Sequence, residues 1–228
     1  AWATTIFQGT ESLGATSTVE INASATTLPT NSTYGHLIIN LTDDPGADIS
    51  FLGNLTSVLG NLTIQNTQSR EVSLSTSASP AVTIAGDLSV SGATSLFAFA
   101  NGTGSPTVTV NGNVNVTGGT FDLSNSAASG SGVLNVKGNF THTGGVITSS
   151  GTGTLNAINI NGTISQTIES TGFSGANTIG INIAPTGSGV AQVASAKTFV
   201  VTSSAAFTVS NTSSATELTV VGTLSTAS

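Results

Sequence analysis

The chain reads as an all-β protein, a parallel β-solenoid with coils of about 26 residues. Three observations predict this: a glycine-centred motif recurs at almost constant spacing, apolar and polar side chains alternate on both sides of it, and charged residues are nearly missing.

The motif stands at Gly60-Asn61-Leu62, Gly86-Asp87-Leu88, Gly112-Asn113-Val114, Gly138-Asn139-Phe140 and Asn161-Gly162-Thr163-Ile164, which sets the glycines 26, 26, 26 and 24 residues apart. A second glycine follows at Gly92, Gly118 and Gly144. Two residues before the first glycine stand Val58, Ile84, Val110, Val136 and Ile160, and four before it Thr56, Val82, Val108, Leu134 and Ile158. Two after it come Leu62, Leu88, Val114, Phe140 and Ile164, and four after it Ile64, Val90, Val116, His142 and Gln166. A period of two means strands with one buried face. Hairpins of a β-sandwich would give the same alternation, so a strand-exchanging sandwich subunit of a filament is the alternative. The repeat length favours the solenoid, because stacked coils bury a column of equivalent positions. The motif glycine falls at a corner where backbone passes close by or φ turns positive.

Weaker copies at Tyr34-Gly35-His36-Leu37 and Val220-Val221-Gly222-Thr223-Leu224 extend the ladder. The chain thus divides into an N-terminal cap or donor segment (1–30), solenoid coils (31–170) and irregular C-terminal coils or a cap (171–228). Seven or eight rungs about 4.8 Å apart make a rod of roughly 35 Å.

Composition narrows function. Charged residues are 6% of the chain, against about 25% in an average domain. Ten acids face only Arg70, Lys137 and Lys197, a net charge of −7, which excludes binding to a nucleic-acid backbone. No apolar run approaches the roughly 18 residues that span a bilayer, and no basic patch would hold an anionic surface, so direct membrane insertion is not expected. A start at Ala1-Trp2-Ala3 without Met reads as a mature product freed of its signal peptide. The expected location is extracellular, or at the cell surface.

Segments such as Val108-Thr109-Val110-Asn111-Gly112-Asn113-Val114-Asn115-Val116-Thr117-Gly118-Gly119-Thr120-Phe121, and Leu134-Asn135-Val136-Lys137-Gly138-Asn139-Phe140-Thr141-His142-Thr143-Gly144-Gly145, resemble the repeats of very large secreted surface adhesins of Bacteroidota. They are similar also to autotransporter passenger repeats. The likeness covers roughly residues 35–170 and implies secretion with adhesion or filament building.

Catalytic chemistry is hard to find. Glycosidic hydrolysis needs two facing carboxyl groups, and lyase chemistry needs a base beside a cation; the acids here are scattered apart from Asp43, Asp44 and Asp48. That cluster, in Asp43-Asp44-Pro45-Gly46-Ala47-Asp48, reads as a turn and not as a calcium loop. His36 and His142 are too few for a metal cluster, and His142 shares a column with Val90 and Val116, so it reads as packed. Trp2 and Tyr34 read as core or cap packing. Outward Thr107 and Thr109 suggest a hydroxyl face able to order ice, but the equivalent pairs, Ala81/Thr83 and Val133/Asn135, break the register. No catalytic, cofactor-binding or metal residue is assigned, and no cofactor. Glycan acceptors are the Asn-x-Ser/Thr sites at Asn22, Asn31, Asn40, Asn54, Asn61, Asn101, Asn115, Asn139, Asn161 and Asn211.

The function expected is that of a non-catalytic structural or adhesive element of a surface fibre, self-associating end to end and meeting surface glycans. The alternatives are a strand-exchanging pilin-like subunit, with Thr4-Thr5-Ile6-Phe7 as donor strand, and a carbohydrate-active β-helix enzyme.

Overall fold

In the computed structural model, which describes residues 13–22, 28, 32–125, 129–210 and 218–227, all helix and strand structure is β-strand. Every strand pair among them is parallel. The chain is therefore a β-solenoid, and the sandwich alternative is overturned, since hairpin-linked sandwich strands pair antiparallel.

Each coil lays down strands on three faces. The first face is an 8-stranded sheet of Thr33–Tyr34, Ser57–Val58, Ala81–Ile84, Thr107–Val110, Val133–Val136, Ala157–Ile160, Ile179–Ile183 and Ala205–Val209. Seven strand spacings carry it over ~34 Å. The column expected inside it is continuous: Tyr34, Val58, Ile84, Val110, Val136, Ile160, Ile183 and Val209 are successive partners.

The second face runs from Thr18–Ile21 through His36–Asn40, Leu62–Asn66 and Leu88–Val90 to Leu218–Val220. The third includes Ile49–Ser50, Glu71–Ser75 and Leu96–Ala100. Val114–Ser124 and Phe140–Ser149 turn the corner between these two faces without a break, with Gly119 and Gly145 at φ +68° and +74°. Side chains from all three faces fill one core, including Phe97 stacked on Phe121 at 5.8 Å in successive coils.

At the corner between the first and second faces the motif glycines still bond one another backbone to backbone, as Gly86 and Gly112 N–H do to the Gly60 and Gly86 carbonyls, but the N–H that follows each glycine turns to a column of side chains. His36 Nδ1 accepts the N–H of Asn61 (3.0 Å), and Asn61 Oδ1 accepts that of Asp87 (2.9 Å). Asp87, Asn113 and Asn139 continue with the N–H groups of Asn113, Asn139 and Thr167. The preceding glycine is needed because a Cβ on Gly112 or Gly138 would strike the glycine backbone one coil below; φ is not the reason. Serines do the same work at the third corner, where Ser79, Ser105 and Ser131 accept from the N–H groups of Ser105, Ser131 and Leu155.

Three expectations need correction. In the fifth copy Ile168 and Ser170, not Ile164 and Gln166, pair with Phe140 and His142. The loop after Gly162 is longer there: Ile164 is 66% exposed, and buried Gln166 fills the corner by bonding Gly162 N–H and the Val136 and Gly138 carbonyls. Thr56 is exposed, because Leu55 turns into the core instead. Gly222 belongs to the corner between Leu218–Val220 and Thr223–Ala227, the position of the second glycine of earlier copies and not of the first.

Val110→Asp would bury an unpaired carboxylate in the first-face column. It should cost several kcal/mol and lower the denaturation midpoint sharply; an unchanged midpoint in urea would contradict this core.

Candidate functional site

The outer side of a solenoid face is ordinarily wet, yet every residue of Glu71–Ser75 is buried. The connections from the third face back to the first fold over it: Ser75 Oγ donates to Ala78 O (2.6 Å) and Ser124 Oγ to Gly130 O (2.7 Å). Glu71 and Asp122 are the two carboxyl groups buried among the described residues, and both lie on this face, with the exposed Asp48 beside Glu71.

Asp48 Oδ1 accepts the N–H of Glu71 at 2.9 Å. Glu71 is 8% exposed and reaches across the strand Leu96–Ala100 so that its Oε2 accepts from Asn125 Nδ2, while its Oε1 is buried with no hydrogen-bond partner. Burial first, then the charges of Asp48 and Asp122, push the Glu71 carboxyl up to about 7, with the amides of Asn125 and Asn101 acting against the rise. Asp122, also 8% exposed, is raised mainly by burial, and its oxygens accept from Ser124 N–H, Ser150 N–H and Ser150 Oγ. A half-open cleft of about 240 Å³ nearby is lined by Asp48, Ile49, Ser50, Leu52, Ser73, Thr76 and Asn101, and not by Glu71. Ser73 is 1% exposed and its hydroxyl also has no partner.

Of the residues singled out in the sequence, only Asp48 and Asn101 line this cleft. Asp44 is held by Arg70 (2.7 Å) and by the Gly46 N–H, which lower its carboxyl to about 2 and close the turn 43–48. His36 starts the corner ladder. His142 is 1% exposed, with Nδ1 at 3.1 Å from Ser170 Oγ, and burial lowers its basicity. Tyr34 is fully buried in the first-face column, and burial pushes its phenol up to about 12. Trp2, Thr4-Thr5-Ile6-Phe7, Asn31 and Asn211 lie outside the described residues.

Of the glycan acceptors, Asn22, Asn54, Asn61 and Asn139 are exposed, and Asn40, Asn101, Asn115 and Asn161 are half-buried. The amide that would carry the sugar donates to Glu20 Oε1 in Asn40 and to Asn135 Oδ1 in Asn161. On the outer side of the first face, Asn159 and Asn182 donate in turn to Asn135 and Asn159, so the row next to Thr109 is an amide ladder and not a repeated threonine pair.

Comparison with models of known protein families, with curated proteins and with solved structures found no match. Among the described residues no three acidic, histidine or cysteine side chains converge on one point, and no helix is long and apolar enough to cross a membrane.

Glu71 and His142 tilt stability in opposite directions. The folded state holds a proton on Glu71 up to about pH 7, well above its ordinary value of 4.5, so its penalty is absent below about 4.5 and complete above 7. Glu71→Gln should match the wild type near pH 4 and exceed it at pH 8 by on the order of 3 kcal/mol. His142 stays neutral when folded, so stability falls as pH drops below its ordinary 6.5. His142→Val should flatten that fall in urea titrations taken from pH 7 to pH 5; an unaltered slope would place the titrating group elsewhere.

Proposed function

We propose that the chain is a non-catalytic structural or adhesive element of a cell-surface fibre, extended by end-to-end contact between coils. The observation that carries this reading is the unequal burial of the two ends. In the last described coil Val209, Val220 and Leu224 are 43%, 45% and 41% exposed, whereas Ile183, Val193 and Phe199, one coil below in the same columns, are fully buried. At the other end Tyr34 and Leu37 are fully buried, with Leu28 in the core and Leu13 packed against it.

An exposed apolar rung with unpaired backbone groups is a template for one more parallel coil. Another copy, or a neighbouring part of a longer chain, would satisfy both at once. The outer rows of Thr, Ser and Asn amides and hydroxyls suit contact with surface glycans, and the shortage of cations argues against nucleic acid. The carbohydrate-active alternative is disfavoured because Glu71 and Asp122, the two carboxyl groups raised by burial, are too enclosed for a sugar ring to lie across them. The pilin-like alternative rests on residues 4–7. Deleting residues 1–10 separates it: loss of a cap frays one end, whereas loss of a donor strand abolishes assembly.

Light scattering behind size-exclusion is expected to give oligomers that grow with concentration, and negative staining to give rods longer than one chain. A strict monomer at high concentration, with the amides of 218–227 protected from hydrogen exchange, would sink the reading.

A further inference from the structure

An asparagine followed by glycine can modify itself, because no side chain on the glycine hinders its nitrogen from attacking the asparagine carboxamide. The sequence holds three such pairs, Asn101-Gly102, Asn111-Gly112 and Asn161-Gly162. The fold treats them differently. Gly112 N–H donates to Gly86 O one coil below (3.0 Å), and the buried Gly162 N–H donates to Gln166 Oε1 (2.7 Å), with the Asn161 amide itself bonded to Asn135 Oδ1. Just past the strand Leu96–Ala100, Asn101 N–H donates to Ser75 O and Thr103 N–H to Thr76 O, both at 2.8 Å, yet the Gly102 N–H between them has no acceptor among the described residues. Only glycine fits there, since φ is +148° and a Cβ would strike Thr76 O. Asn101 is half-buried on the wall of the half-open cleft, so water reaches it. Its amide lies against the Glu71 carboxyl, and, unlike the oxygens of Asn61, Asn113 and Asn139, its own oxygen accepts no N–H of the next coil among the described residues.

We propose that Asn101-Gly102 is a site of self-modification in the folded chain, where the asparagine is converted to aspartate and isoaspartate while Asn111 and Asn161 are protected. The Gly102 nitrogen gives up its proton and attacks Cγ of Asn101. The new bond closes a succinimide, and the side-chain nitrogen leaves as ammonia. Water then opens the ring at either carbonyl, giving aspartate at one and, at the other, isoaspartate, through whose side chain the backbone then runs. One water is consumed and one ammonia released, with no oxidant or reductant. At Gly112 and Gly162 the same attack first requires a backbone N–H to leave its acceptor, which costs a hydrogen bond before any chemistry begins. The product places a new carboxylate beside Glu71 and Asp48, while Arg70, the nearby cation, is engaged by Asp44. Isoaspartate also lengthens the backbone at the point where Asn101 N–H meets Ser75 O, so the modification loosens the third face. The site is independent of the fibre reading.

The test is incubation of the whole chain at pH 8 in heavy-oxygen water, folded in one series and unfolded in urea in another. Digestion in mild acid stops further reaction, and mass spectrometry of the peptides reads the label at each of the three pairs; isoaspartate is scored with an isoaspartyl methyltransferase. In the folded series Asn101 is expected to take up label about tenfold faster than Asn111 or Asn161, the factor for one hydrogen bond that must open first. Urea is expected to bring the three rates together, since it removes the difference between their surroundings. An Asn101 that reacts in urea but stays unlabelled in the folded chain overturns the proposal. So does label in the folded chain at Asn111 or Asn161 as fast as at Asn101, which would mean that the free Gly102 N–H does not select the site.

Discussion

Everything in this molecule depends on the backbone of each coil finding its hydrogen-bond partners in the coils above and below. Along the three faces the parallel sheets supply these partners, and register then stacks equivalent side chains into columns. At the corners backbone bonds such as that from Gly112 N–H to the Gly86 carbonyl continue, but one N–H per coil turns away from any backbone partner. Asn61, Asp87, Asn113 and Asn139 at one corner, and Ser79, Ser105 and Ser131 at another, lend one side-chain oxygen per coil to the next coil's N–H. A buried N–H left unpaired costs more than a good bond gains. These small polar residues therefore hold the repeat length as firmly as the apolar columns do.

Much of the fold was legible because the first two faces have one wet and one dry side, which writes a period of two into Val108-Thr109-Val110 and its equivalents. The third face was less legible. In Glu71–Ser75 and Leu96–Ala100 loops cover the outer surface, so polar and small residues are buried on the side where solvent is expected, and the alternation loses its meaning. The misplacement of Ile164 has a different origin. Fixed spacing cannot detect a lengthened corner, and Gln166 looks like an ordinary polar strand residue until its amide is seen bonding to three backbone groups.

The acidic cluster on the third face was illegible for a topological reason. Asp48, Glu71 and Asp122 are distant in sequence and share no motif; lateral stacking brings them together, with Glu71 crossing a whole strand to reach Asn125. The serines offered a usable signal, since Ser79-Pro80 and Ser105-Pro106 recur at the repeat length. The glycine-asparagine and glycine-aspartate pairs were visible as punctuation, but their role as hydrogen-bond acceptors between coils requires knowing which residue stands beneath which.

Because the hydrogen bonds between coils point along the stack, they also fix how the protein answers force. Tension between the two chain ends pulls on these bonds lengthwise and opens them a rung at a time from an end, instead of shearing a whole sheet at once. Each released coil of 26 residues, such as that from Ile84 to Val110, pays out about 90 Å of extended chain while the remaining columns stay closed. A tether built this way yields in small steps, dissipates load, and can rewind on the coils that are still standing.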